Sequence, residues 1–436
     1  MADPTLEGLP IELKVLVLFE VQDGDTLKSL VLASPGYHQA YRTVRPKLLK
    51  YLVKCQYSGF LDLAEALTAV RSEGVHFSLG VENAIFVLDN WRRRSELRGP
   101  NKPSTDSLDE PNSMEEIIKL LHFHKMLRFF LDDYSINAPR PPWIQPIEWE
   151  GKCLPLQLSL SERSRFLRAM CRLQIMKNIF GDPVYCLEHE RCSSCWETKI
   201  WQSVETDELR DLQGPHHIYF IHEQAYRLFY GTIPPWEHEE MGSVFSYLVT
   251  KIKAISNEIA DDLRQLSKST PCEFFWDILP IEQRPPPCDI EVESDLVHFN
   301  QHVKGLAGLG PKFLYRILHM DQLSRRNIVC YNTRGFWPGP FIGLGTELPW
   351  DYKFPFTDPA DRHDCQNFEQ FWSTLSPIEQ PTIGWKKKWL LPHNEEDNLE
   401  DSLNYEREHE KEWEWSYALW DDRRLQEWKA PLLDSP

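Results

Sequence analysis

Residues 9–34 read LPIELKVLVLFEVQDGDTLKSLVLAS, and the fold of the N-terminal part of the chain is decided there. Pro10 stands where a first helical turn tolerates proline, because its missing N–H would find no intrahelical partner anyway. Leu13, Leu16, Val17 and Val21 recur at helical spacing and predict one amphipathic helix. Gly24 interrupts it, and Asp25 is placed to cap a second helix. Leu27, Leu30, Val31 and Leu32 make that second helix nearly all apolar, so it must be buried or covered by a partner. Ser34-Pro35-Gly36 ends it before a third, aromatic turn containing Tyr37 and Tyr41. Three compact helices over residues 7–46 are expected.

This order of residues resembles the F-box, the small helical module by which substrate receptors attach to the adaptor subunit of cullin-type ubiquitin ligases. Leu9-Pro10 matches the family's Leu-Pro start, Glu12-Leu13 its acidic-apolar pair, and Val17-Leu18 its Ile-Leu pair. Leu27, Leu30 and Ala33-Ser34 follow its second-helix pattern. The Ala-Ser-Pro ending with Tyr37 and Tyr41 looks most like forms common in filamentous fungi. Phe19, at a position that is often polar, and Val21, shorter than the usual leucine, depart from the pattern. The resemblance implies a non-catalytic receptor whose Leu9, Pro10, Leu13, Val17, Leu18, Leu27, Leu30 and Tyr37 dock the adaptor while the rest of the chain binds an unknown protein. The competing expectation is a helical scaffold in which the same helices are sealed core and dock nothing.

Composition narrows the field. The 436 residues are 42% hydrophobic and 26% charged, enough for a large core or two to three domains. A formal charge of −18 argues against nucleic-acid and anionic-membrane surfaces, although Arg92-Arg93-Arg94 and Lys386-Lys387-Lys388 are local basic runs beside tryptophans. No stretch has the uninterrupted apolar length of a membrane span, and Asp3 and Glu7 stand where a secretory signal would be basic. Ten scattered cysteines fit reduced thiols, so a cytoplasmic or nuclear setting is expected.

Beyond the module the pattern stays mainly α, an irregular helical body over 47–436 with long Pro/Trp-rich loops. Helices are predicted from Pro46 to about Ser58, Leu61 to Val70, after the capping-box residues Ser113 to Glu116, and over Ser161–Phe180. Others are expected near Ile218–Tyr230, Glu239–Leu266 and Pro311–His319. The breaker-rich stretch near 99–112 reads as a mobile loop, and Val75–Trp91 gives no clear pattern. In the acidic, Trp-rich segment 394–430, Trp413, Tyr417 and Trp420 lie at helical spacing and predict an aromatic anchor on one C-terminal helix. No repeat of the leucine-rich, WD40 or kelch kind is present.

The candidate chemistry thins out on inspection. Cys186, His189, Cys192 and Cys195 are zinc-ligand types, with His216, His217 or His222 as further candidates, but the spacing lacks the two separated pairs of a structural zinc site. His222-Glu223-Gln224-Ala225-Tyr226 begins like a zinc-protease helix and fails at Tyr226, where a second histidine is needed. Gly305 to Gly310 has P-loop glycine spacing, but Pro311 replaces the lysine, so it reads as a flexible turn before a helix. Asp361, His363 and Asp364 read as a solvated surface cluster. No cofactor, metal or reaction follows from these residues.

Overall fold

The computed structural model describes residues 6–77, 80–92, 110–181, 224–225, 228–230, 233–269, 296–332, 373, 375–387 and 413–433. Every regular element among them is helical, in agreement with the mainly α reading. The chain divides into two compact units, one made of residues 1–73 and 87–132 and the other of 74–86 and 133–436.

The first unit begins with α1 (Ile11–Glu20), α2 (Gly24–Ala33) and α3 (Pro35–Tyr57). Pro10 is the residue preceding α1, as its extended backbone requires. The cap of α2 is Asp23, two residues earlier than expected: its carboxylate accepts from the Asp25 and Thr26 N–H groups at 3.0 and 2.9 Å. These bonds hold the Asp23 carboxyl below its ordinary range, the Thr26 hydrogen bonds contributing most. Asp23 prevails because Gly24 tolerates the first helical position, whereas Asp25 in the first turn faces the helix dipole and pairs with Lys125 at 3.0 Å. Ser34 serves two helices, ending α2 and accepting the Tyr37 N–H at the start of α3.

The expected break at Pro46 is absent. Pro46 lies inside α3, which runs unbroken for 23 residues. Pro46 gives up a single backbone hydrogen bond, while Leu48, Leu49, Leu52 and Val53 are buried just beyond it and hold the helix in register. Phe19 packs its ring against Tyr51 at 5.4 Å and so ties α1 to α3, which gives that unusual residue a structural reason.

Next come α4 (Leu63–Arg71), α5 (Val81–Arg92) and α6 (Met114–Asn137). Residues 93–109, most of the stretch read as a mobile loop, lie outside the described residues. Half of the expected capping box forms: the Glu116 N–H donates to Ser113 Oγ at 3.1 Å, but the Glu116 side chain turns to the Asn112 N–H and to Arg71. Tyr57 donates to the Leu120 carbonyl, and the His124 ring sits between Tyr57 and Phe60 at 5.3 and 4.6 Å.

In the second unit α7 (Leu160–Phe180) is the central rod, with α8 (Pro235–Ser269), α9 (Leu296–Gly308), α10 (Gly310–Leu318), α11 (Gln322–Asn332) and α12 (Asp422–Glu427) also present. The expected helix at 218–230 falls largely outside the described residues. From Arg165 to Phe180 every α7 residue except Asn178 is buried, so its polar side chains need partners inside the protein. Arg165, Arg168 and Arg172 lie on one face at helical spacing. Arg168 forks onto both carboxylate oxygens of Glu240 at 2.7 and 2.8 Å and reaches Glu237 at 3.0 Å, while Arg172 meets Glu237 at 2.5 Å. Burial alone would disfavour the Arg168 charge, but the two glutamates hold its pKa above the ordinary arginine value.

The C-terminal stretch corrects the single-helix expectation. Trp413, Tyr417 and Trp420 belong to a turn rather than to one helix: Ser416 sits in the left-handed region at φ 60°, and a short 3-10 turn spans Tyr417–Leu419. Specific polar contacts hold this turn to the rest of the unit. Glu239 accepts from Trp413 Nε1 and the Tyr417 hydroxyl at 2.5 and 2.9 Å, and Arg165 pairs with Asp421 at 2.8 Å. Arg424 donates twice to Glu162, which at the same time closes a capping box with Ser159 at the start of α7. Gly242 in α8 is the close-approach glycine, since a β-carbon there would overlap the Trp413 indole.

The glycine-rich stretch 305–310 is likewise different from the expected loose turn. Gly305 to Gly308 close α9, and Gly310, at φ 87°, starts α10 against Gln174 and Lys177 of α7. Only glycine takes that backbone conformation without strain.

Removing one partner of a buried pair leaves an uncompensated charge, so Arg168→Met is expected to destabilise the second unit by about 3–5 kcal/mol in urea unfolding. Adding Glu240→Gln is expected to restore part of the loss. Two histidines make stability fall with acid. Burial is the main cause that depresses His124 to about 4, and it does the same to His238, whose Nε2 donates to the Tyr230 carbonyl. Both pKa values are depressed in the folded state, so the unfolded chain binds the protons first and stability drops as pH falls from about 6.5 towards 4. His124→Phe should flatten the first unit's share of that slope in unfolding curves collected across this range.

Candidate docking surface

α1, α2 and the first half of α3 make up the candidate site. The eight residues expected to dock a partner are split by the packing. Leu18, Leu27 and Tyr37 are buried, at 0%, 4% and 1% exposure, and are core residues of the first unit rather than surface anchors. Leu18 and Leu27 are the inward members of their helices, and Tyr37 occupies the first turn of α3 where the chain folds back on α2. Leu9, Val17 and Leu30 are half-buried, and Pro10 is exposed. Leu13 is 44% exposed and remains open.

Around these lie apolar residues that sequence pattern alone does not assign to the docking face. Leu6, Ile11, Leu16 and Leu32 are exposed, Leu16 at 61% and Leu32 at 71%. Leucines on both sides of a short helix look alike in sequence, and only packing separates the buried from the open ones. Exposure of this density on helices of ten residues is unusual for a surface without a partner.

Between α2 and the start of α3 an open groove of about 830 Å³ is lined by Val31 and Leu32 of α2 and by Pro35, His38, Gln39 and Arg42 of α3. Of its apolar residues Val31 is buried, whereas Leu32 is exposed. The sequence holds a signal for this feature: α3 is basic along its length, although the chain as a whole is acidic. An isolated charge run ordinarily reads as a solvated face, so the signal does not stand out in the string of residues.

Cys186, His189, Cys192, Cys195, His216, His217 and His222, together with Asp361, His363 and Asp364, lie outside the described residues. Among the described residues no group of three or more His, Cys, Asp or Glu is arranged to hold a metal ion. Cys171 and Cys330 are buried free thiols, and Cys55 and Cys153 are half-buried ones. No described helix is long and apolar enough to cross a membrane. No family model, no curated protein and no solved structure matches the chain.

Proposed function

We propose that the chain is a non-catalytic, F-box-like receptor: α1–α3 dock the adaptor subunit of a cullin-type ubiquitin ligase, and the C-terminal body binds an unknown protein. The observation that carries this reading is the exposure of Leu13, Leu16 and Leu32 on short helices anchored by the buried Leu18 in α1 and Leu27 and Val31 in α2. A standard interface buries about 800 Å² per partner and depends on a few apolar anchors, and these leucines with Leu9, Pro10 and Ile11 are residues of that kind. Leu18, Leu27 and Tyr37 are buried and fix the helices that present the anchors.

The same three buried residues favour the second reading, a scaffold whose N-terminal helices serve only its own fold. The two readings differ in what the open leucines do, so the test must spare the core. Leu30 is half-buried, and an aspartate there would confuse lost folding with lost binding. Leu13→Asp combined with Leu16→Asp acts on exposed positions, and surface changes of this kind shift stability by about 0.5 kcal/mol or less. The double variant is expected to lose co-purification with the purified adaptor while its thermal unfolding stays close to that of the parent chain. Co-purification equal to the parent's, or none by either chain, would favour the scaffold.

A further inference from the structure

Charge on α3 is distributed against the character of the whole chain. Between Pro35 and Tyr57 the helix carries Arg42, Arg45, Lys47, Lys50 and Lys54 and no aspartate or glutamate, in a chain of formal charge −18. Lys50 and Lys54 are engaged by Glu110 at 2.5 and 2.7 Å, which holds that carboxyl down to about 2. Arg42, Arg45 and Lys47 are exposed, and no described residue forms an ion pair with them. His38, Arg42 and Arg45 follow one another at i, i+4 and i+7, so they form a single stripe. His38 and Arg42 also line the groove, together with the apolar Val31, Leu32 and Pro35.

The groove therefore offers apolar and basic groups in one lining. An amphipathic helix matches that pattern when leucines on one face meet Leu32 and Pro35 and carboxylates next to them meet His38 and Arg42. The guanidinium of Arg42 is the stronger of the two polar groups, because its planar fork binds a carboxylate through two parallel hydrogen bonds. Nucleic acid and anionic lipid fit less well. Both depend on many clustered basic contacts, whereas Arg42 and Arg45 alone carry fixed positive charge along this stripe and much of the groove lining is apolar.

We propose that the α2–α3 groove receives an acidic amphipathic helix of a partner protein, with Arg42 as its charge anchor and Leu32 as its apolar one. The proposal rests on the reading of α1–α3 as a docking face and adds the chemistry of what docks.

The test uses the full-length chain and two synthetic helical peptides with leucines at i, i+3, i+4 and i+7. One peptide carries glutamates beside the leucines and its twin carries lysines; binding is read by fluorescence anisotropy. The glutamate peptide is expected to bind about tenfold more tightly than its twin, and to weaken as NaCl is raised from about 50 to about 300 mM. Arg42→Glu should reverse the preference and Arg42→Lys should retain part of it. Leu32→Asp, at an exposed position, should weaken the glutamate peptide without altering unfolding.

Equal binding of the twins, or a preference untouched by Arg42→Glu, would overturn the proposal. So would tighter binding to phosphatidylserine vesicles or to a single-stranded RNA than to the glutamate peptide. Self-association of the parent chain that Arg42→Glu disperses would assign the groove to a second copy instead. Adaptor co-purification that survives Arg42→Glu while the peptides fail would leave the docking reading standing and remove only the acidic helix.

Discussion

The buried arginines of α7 are the constraint on which the second unit depends. An arginine surrounded by protein is tolerated only when its charge is met, and the three obtain this from two places. Arg168 and Arg172 take their carboxylates from the first turns of α8, and Arg165 takes Asp421 from the C-terminal stretch. The direction of α8 and the path of the last residues are set by these pairings as much as by apolar contact. Hydrophobic packing is non-directional, so a row of apolar residues alone would permit several registers between two helices. The forked geometry of Arg168 on Glu240 permits far fewer.

The tryptophans near the C-terminus add to the same arrangement. A buried indole contributes a large apolar area but brings an N–H that needs an acceptor. Trp413 finds Glu239, Trp420 the Trp415 carbonyl, Trp236 the Glu379 carbonyl and Trp143 the Trp428 carbonyl. The Arg424 guanidinium, already held by Glu162, lies over the Trp420 and Trp428 rings. Aromatic area, hydrogen bonds and charge are thus met by one set of residues, which gives the Trp-rich composition between Trp413 and Trp428 a structural cause.

The sequence is most legible where period and caps agree. The long apolar repeats of α6 and α7, and the leucine pattern of α1 and α2, identify helices because no strand or loop places its apolar residues at a 3.6-residue period over several turns. It misleads where one local rule is outvoted: Pro46 remains in α3 because the leucines after it are buried, and the glycines at 305–308 close a helix because α9 has already been nucleated upstream. The charges of α7 are not readable in the same way, since arginines among apolar residues look like a solvated stripe until their partners, some 70 and 250 residues away, are seen. Similarly, leucines and a Leu-Pro start locate the candidate docking face, but which leucines turn inward is a matter of tertiary packing. Leu18 and Leu27 are indistinguishable from Leu13 and Leu16 in the string of residues.

The pairing of Arg165 with Asp421 joins residues 256 positions apart, and that distance has a temporal meaning. A chain emerges from the ribosome at about 5–20 residues per second, N-terminal part first. The first half of α7 is made long before the residues that neutralise Arg165 and engage Glu162. For roughly ten seconds or more at such rates, the nascent second unit therefore holds a charged helix face that cannot close into a dry core. Residues 413–428 are in this sense what closes that face, and a ribosome stalled shortly before them would leave these long-range contacts unmade.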